Sequence, residues 1–78
     1  MEVYYYNDEH HAVTVQVNSQ IQSDGLPKIE YFTLEPQNGD IFLIDAPDGA
    51  ILHVKRWERR IVLLSYIPAA AVAQLRER

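Results

Sequence analysis

Alternating apolar and polar side chains predict that most of this chain forms β-strands. The pattern is clearest from residue 11 to residue 18, where Val13, Val15 and Val17 point to one face and polar side chains to the other. Further runs rich in β-branched and aromatic residues occupy positions 2–6, 28–34, 40–45, 50–56 and 59–67. The chain is therefore predicted to contain five or six short strands.

Turn-forming residues between these runs predict how consecutive strands connect. Asn38-Gly39 readily supplies positive φ in a tight turn, so a hairpin is expected between the third and fourth strands. Residues 46–49 contain a proline and a glycine where a type I turn and the left-handed residue after it need them, so a second hairpin is expected there. The polar stretch 19–27 is the longest predicted loop.

The connection between the last two strand-like runs is less clearly specified. A two-residue turn at Trp57-Glu58 would pair Val54 with Ile61 and align the apolar faces. Neither turn residue favours positive φ, so a wider turn or one long bent strand is the alternative.

Residues 68–78 predict a short C-terminal helix, because Pro68 suits the first helical position and the alanine-rich segment after it has high helix propensity. Together the elements predict a mainly β (α+β) fold in one domain, residues 1–78. We expect a curled antiparallel meander that forms a small open barrel of the SH3-like or OB-like kind, closed by the helix. A flat sheet with the helix across one face is the alternative.

Composition narrows the class of protein. The 78 residues include no cysteine, which excludes a disulfide framework, a thiolate nucleophile and a cysteine zinc site. The N-terminus is not signal-like and no apolar run is long enough to span a membrane, so a soluble cytoplasmic protein is expected. A domain this small has a modest core, and a homodimer joined through an unpaired edge strand or the helix is a further expectation.

Charge is distributed unevenly along the chain. Residues 1–50 carry nine acids and one lysine, for a net charge of −8, whereas residues 51–78 carry a net charge of +4. Uneven solvation explains this distribution without any function. The alternative is a polar molecule that offers two different docking faces.

Candidate catalytic and metal-binding residues are sparse. Asp8, Glu9, His10 and His11 are of metal-ligand types, but adjacent residues in an extended chain point to opposite sides, and only His53 lies elsewhere. The serines have no glycine-framed elbow and no suggestively placed histidine, and the chain has no phosphate-binding glycine loop. We therefore expect no enzyme activity, no metal and no cofactor.

The basic segment after the proline-glycine turn is the first candidate for partner binding. At a hairpin tip, four bases and an indole would project together; they are Lys55, Arg56, Trp57, Arg59 and Arg60. Arginine and tryptophan are enriched at protein hot spots, and the same combination grips phosphate and stacks on bases. A tryptophan folded over the end of the barrel among solvated arginines is the structural alternative.

Tyrosines flanked by acids near the N-terminus are the second candidate. Tyr4 and Tyr6 share one strand face, with Asp8 and Glu9 in the predicted turn beyond them. Aromatic rings beside carboxylates suit contact with a basic protein. Alternatively the two rings only cover a sheet edge.

These features favour a small non-enzymatic protein-binding module that acts by stoichiometric docking. One form of such a module is an inhibitor of a larger nucleic-acid-binding protein, such as a phage or mobile-element anti-defence protein. A small β-barrel that binds nucleic acid through the Trp-Arg hairpin is the first alternative. A homo-oligomeric structural subunit is the second alternative.

Overall fold

The computed structural model describes residues 1–21 and 25–76, which contain six strands and one helix. The elements are β1 (Glu2–Tyr6), β2 (Val13–Ile21), β3 (Pro27–Leu34), β4 (Gly39–Leu43), β5 (Ile51–Trp57), β6 (Ile61–Ile67) and α1 (Ala69–Arg76). The prediction of a mainly β fold with one short C-terminal helix is confirmed. The predicted helical positions 77 and 78 lie outside the described residues.

The strands form two sheets. The larger sheet has the order β3-β2-β6-β5, and the smaller one pairs β1 with β4. All neighbours are antiparallel except β2 and β6, which are parallel, with Val15 opposite Val62. The small sheet covers part of one face of the large sheet, so the molecule has two layers.

The core lies between the two sheets. The valines that alternate along β2 all point into it, and Val13, Val15 and Val17 are 3%, 0% and 1% exposed, as their spacing predicted. Val62 and Leu64 lie beside them on β6, while Val3 and Phe42 come from the small sheet, and all four are buried. Phe42 also contacts Phe32 of β3, with ring centroids 5.4 Å apart.

The predicted meander order holds for β2–β3 and for β5–β6, which pair antiparallel, and is wrong for the other consecutive strands. The connections at Asn38-Gly39 and at residues 46–49 do not close hairpins, because each joins strands of different sheets. A meander in one open sheet would leave the valine face of β2 in water, whereas moving β1 and β4 into a second layer buries it. In the described part of the chain the sheets do not close into a barrel, and the SH3-like or OB-like kind stays a prediction.

The register of the β5–β6 hairpin also differs from the two-residue prediction. Val54 lies opposite Leu64 rather than Ile61, and Trp57 lies opposite Ile61. Three residues connect the strands, and two of them, Glu58 and Arg59, have positive φ values of 52° and 63°. The wider turn is therefore the correct alternative, and Trp57 belongs to the strand.

The predicted loop 19–27 is shorter than expected, because β2 continues to Ile21 and β3 already begins at Pro27. Ser19 is buried, and its hydroxyl accepts a hydrogen bond from the backbone N–H of Asp45, 3.0 Å away. The backbone N–H of Gln20 donates to the Asp45 carbonyl at 2.7 Å. The chain beyond β4 thus anchors the end of β2. Residues 22–24 lie outside the described residues.

The helix begins beside the turn at residues 46–49. A methyl group built on Gly49 would lie 3.0 Å from the Ala69 Cβ atom. Ala71 and Val72 are half-buried, whereas Leu75 is exposed. Ile29, Tyr31 and Ile51 on the far side of the large sheet are exposed, so the helix does not cover that whole face, as the alternative prediction required.

Candidate functional site

The side of the large sheet turned away from β1 and β4, which we call the outer face, presents several exposed apolar side chains. Residues opposite one another in the register share this face. They are Thr14, Gln16 and Asn18 of β2, Ile29, Tyr31 and Thr33 of β3, Ile51, His53, Lys55 and Trp57 of β5, and Ile61, Leu63, Ser65 and Ile67 of β6. Strand alternation places them there, since the intervening residues point to the opposite side of the sheet, which carries the core.

Large apolar side chains lie at both ends of the outer face. Tyr31 is 67% exposed, and Ile29 and Ile51 are each 44% exposed. Trp57 is 39% exposed, so its indole is not folded into the core. Between these residues, Ile61, Leu63 and Ile67 are half-buried by their neighbours. Polar residues of β2 separate the apolar side chains of β3 from those of β6 and β5, so the outer face has an apolar patch on each side of a polar strand.

The outer face carries no carboxylate among the residues named above. Its cation is Lys55, whose Nζ atom lies 5.1 Å from the centre of the Trp57 ring, within the range of a cation–π contact. His53 lies on the same strand face between Ile51 and Lys55. On a chain with a net charge of −4, this is a locally acid-free surface.

The predicted basic cluster does not project together, because alternation sends neighbouring bases to opposite sides of β5. Arg56 points away from the outer face and lies over the Tyr5 ring, with 5.7 Å from its guanidinium carbon to the ring centre. Arg56, Arg59 and Tyr5 line a small cleft together with Glu9. One predicted acidic site residue thus lines the same cleft as two predicted basic ones, and its Oε2 atom lies 3.7 Å from His11 Nε2.

The remaining basic site residue, Arg60, is an exposed turn residue. Its backbone carbonyl accepts a hydrogen bond from the Thr14 N–H at 2.7 Å, so its main chain helps to fix the turn to β2.

The predicted tyrosine site lies on the opposite side of the molecule. Tyr4 and Tyr6 point outward from the small sheet, where Ile41 and Leu43 of β4 are also exposed. The hydroxyl of Tyr6 donates to Gln37 Oε1 at 3.2 Å, and the Tyr4 ring covers the backbone of Gly39. These tyrosines and the Trp57 side chain therefore form two separate surfaces. Asp8 is exposed in the β1–β2 connection.

An open cleft of about 290 Å³ separates β3 from β4. Its apolar lining includes Phe32 and Phe42, and its charged lining includes Lys28, Glu30 and Asp40. The Lys28 Nζ atom and the Glu30 Oε1 atom form an ion pair at 3.5 Å. Asp40 accepts a hydrogen bond from the N–H of Ile41 at 2.7 Å. The cleft offers charged groups but no nucleophile paired with a base.

Asn7 is a structural residue that the sequence did not single out. Its side chain is 1% exposed, and its Nδ2 atom donates to the carbonyls of His11, Leu34 and Glu35 at 2.9, 3.0 and 3.2 Å. Its Oδ1 atom accepts from the Glu9 N–H at 3.0 Å. In the sequence Asn7 looks like an ordinary residue of a polar turn. Its local sequence does not predict hydrogen bonds to β3.

Comparisons with protein-family models, curated proteins and solved structures find no match for this chain. Within residues 1–21 and 25–76, no group of three or more histidine or carboxylate side chains is arranged to hold a metal ion. The same part of the chain has no helix long and apolar enough to cross a membrane.

Proposed function

We propose that the chain is a non-enzymatic docking module whose main binding surface is the outer face. One observation carries the proposal: Ile29, Tyr31, Ile51 and Trp57 are between 39% and 67% exposed on a face without a carboxylate. Exposed apolar patches rimmed by polar side chains mark interaction sites.

The chemistry of the outer face suits a protein partner. Tyr31 and Trp57 provide large apolar area with few rotatable bonds, which is typical of residues that dominate binding energy. Thr14, Gln16 and Asn18 supply hydrogen-bonding groups between them, and the Gln16 Nε2 atom already donates to Asn18 Oδ1 at 3.0 Å. We expect the partner to offer an apolar patch with a carboxylate placed to meet Lys55.

A basic protein partner would bind the small sheet instead. Tyr4, Tyr6, Ile41 and Leu43 form an apolar surface whose charged neighbour on the same face is Glu2. This arrangement would suit a basic protein, including a nucleic-acid-binding protein that the chain inhibits. The two forms of the docking proposal therefore predict different binding faces.

Single-stranded nucleic acid is the second candidate ligand of the outer face. Tyr31 and Trp57 could stack on bases, and Lys55 could contact a phosphate, as on an OB-like sheet, one of the two barrel kinds predicted from the sequence. The observation that favours it is the absence of carboxylates from this face. Against it, Lys55 is the face's one permanently charged base, whereas binding to phosphates usually recruits several.

Two tyrosines of equal exposure provide a matched test of the docking proposal. Tyr31 on the outer face is 67% exposed, and Tyr4 on the small sheet is 66% exposed. Tagged wild-type protein is used to capture partners from lysate with and without nuclease treatment, and the dissociation constant of each purified partner is then measured by calorimetry. We expect Tyr31→Ser and Trp57→Ser each to weaken binding by at least about tenfold, and Tyr4→Ser to change it by less than about twofold.

Other outcomes would point to a different binding face or to a different class of ligand. Loss of binding in Tyr4→Ser with retention in Tyr31→Ser would refute the outer face and favour the small sheet and a basic partner. Ligand removed by the nuclease, with affinity that falls steeply as salt rises, would replace the protein partner by nucleic acid.

A further inference from the structure

The edge of β5 that faces away from β6 pairs with no strand in the described part of the chain. The strand stands at the end of the sheet order β3-β2-β6-β5, and all seven of its residues are exposed. Alternate N–H and C=O groups along its free edge therefore point to solvent, which makes the edge a template for another strand.

Apolar side chains flank this edge on both sides of the sheet. Ile51 and Trp57 lie on the outer face, and Leu52 and Val54 lie on the inner side with 40% and 43% exposure. The small sheet buries Leu64, which is opposite Val54, but leaves Val54 itself in solvent. An edge strand that is apolar on both sides is one that soluble monomers generally avoid.

We infer that two copies of the chain form a symmetric dimer in which their β5 strands pair antiparallel, with Val54 opposite Val54 of the second copy. In this arrangement the two large sheets become one continuous sheet. The dimer contacts run along the β5 edge and include Ile51 and Trp57, which also belong to the outer face, so Tyr31 of β3 is the residue that distinguishes the dimer from the docking proposal.

Symmetry and side-chain chemistry select this register. An axis at Val54 pairs the full length of β5 and places Ile51 opposite Trp57 of the second copy, so large apolar side chains meet on the outer face. On the inner side, Leu52 meets the aliphatic stem of Arg56. A twofold axis at His53 would leave Arg56 and Trp57 outside the paired part of the strand. A twofold axis at Lys55 would place the lysines of the two copies opposite each other.

The other free edge of the large sheet is a weaker candidate. β3 begins with Pro27, which has no backbone N–H to donate. Lys28 and Glu30 form an ion pair along the same strand, and charged side chains discourage strand addition. Of the two edges, β5 is therefore the one suited to a second copy.

Engineered cysteines test the register directly, since the chain has no cysteine of its own. In the dimer, residues at position 54 face each other with Cα atoms about 4.5–5.5 Å apart, which a disulfide can bridge. Leu52 has similar exposure and lies on the same side, but its two copies would be about 13 Å apart at 3.3 Å per residue. We expect oxidised glutathione to cross-link Val54→Cys and not Leu52→Cys.

Sedimentation of the unmodified chain gives the association state. Pairing one strand edge makes a small interface, so we expect a dissociation constant of roughly micromolar order. Val54→Glu opposes two carboxylates at the axis and should raise that constant at least about tenfold, whereas Val54→Thr should change it much less. Thermal unfolding of both variants identifies any loss of fold.

Several outcomes would overturn the dimer. They are a monomer at every concentration up to about 1 mM, equal cross-linking at positions 52 and 54, and a dimer unaffected by Val54→Glu in a folded chain. The variant Tyr31→Ser distinguishes the dimer from the docking proposal. It should abolish partner binding and leave the dimer intact, because Tyr31 lies on β3 at the edge of the sheet farthest from β5.

Discussion

Asn7 connects two parts of the chain that are distant in sequence. Its amide bonds to the carbonyls of Leu34 and Glu35, and the Asn7 backbone N–H and carbonyl bond to Asn38 and Gln37 at 2.8 and 2.9 Å. The residue therefore holds the end of β1 against the connection from β3 to β4, and so fixes where the small sheet lies over the core.

We predict that Asn7→Ala lowers the free energy of unfolding by about 3 kcal/mol, because it leaves several carbonyls without their donor. Asn7→Asp retains the shape but removes the amide donor, so it should be at least as destabilising. Asn38→Ala is the control, since its exposed amide makes one bond, to the Pro36 carbonyl at 3.0 Å, and should cost less than about 1 kcal/mol. Urea unfolding measures all three; equal losses at positions 7 and 38 would contradict the assigned role.

Among the strands and turns, the β5–β6 connection has the least suitable residues for its conformation. Glu58 and Arg59 both have positive φ, where a side chain is strained and glycine or asparagine is usual. The strain is tolerated because the turn aligns Val62 and Leu64 with the core. The Arg60 carbonyl also accepts a hydrogen bond from β2.

We predict that Glu58→Gly raises the free energy of unfolding by about 0.5–1 kcal/mol, because it relieves the strain at φ 52°. Arg60→Gly is the neighbouring control: its φ is not positive, so glycine there should destabilise by a similar amount through added chain entropy. Chemical denaturation compares the two variants. If Glu58→Gly were destabilising as well, the turn would not have the left-handed conformation described here.

The contact between the helix and the turn at residues 46–49 can be isolated with a pair of glycines. Gly25 and Gly49 have similar φ values of 84° and 80°, but a methyl group on Gly25 would meet nothing within 4 Å, whereas one on Gly49 would lie 3.0 Å from the Ala69 Cβ atom. Substitution by alanine should strain both positions equally through φ.

We therefore predict that Gly49→Ala is more destabilising than Gly25→Ala by about 1 kcal/mol, as expected for an added methyl group in a filled space. The double variant Gly49→Ala, Ala69→Gly should lose most of that difference, because it removes the methyl group that the new one meets. Thermal unfolding curves provide the comparison. No coupling between positions 49 and 69 would mean that the helix does not rest on this turn.

For the molecule as a whole, local patterns predicted the elements and two of the strand pairings, β2–β3 and β5–β6, but not the pairings of β1 with β4 and of β2 with β6. Alternation at Val13, Val15 and Val17 correctly indicated the buried face, and Pro68 was predicted one residue too early as the first helical position, since the helix begins at Ala69. Asn38-Gly39 and the proline-glycine turn failed as hairpin signals, because the same residues also suit a loop that crosses from one sheet to the other. Which strands pair across layers depends on burial, which a short window of sequence does not contain.

The candidate site was predictable to a similar extent. Residues two apart on one strand share a face, which places Lys55 beside Trp57, and the same rule separates Arg56 from them. Tyr31 was missed because an aromatic residue in an apolar strand is indistinguishable in sequence from a core residue until the covering layer is known. The outer face is exposed because the small sheet packs against the opposite face of the large sheet.

The effect of salt on self-association distinguishes two ways in which this polar chain could pair with itself. Each copy has a net charge of −4, and the β5 edges that meet in the proposed dimer both carry Lys55 and Arg56. Salt screens both repulsions, so we predict that raising sodium chloride from 20 to 500 mM strengthens the dimer by roughly two- to fivefold. Sedimentation equilibrium at several salt concentrations measures this change. Weakening by salt would instead indicate ion pairs between the acidic first half of one copy and the basic turn of another, a head-to-tail contact that leaves the β5 edge unpaired.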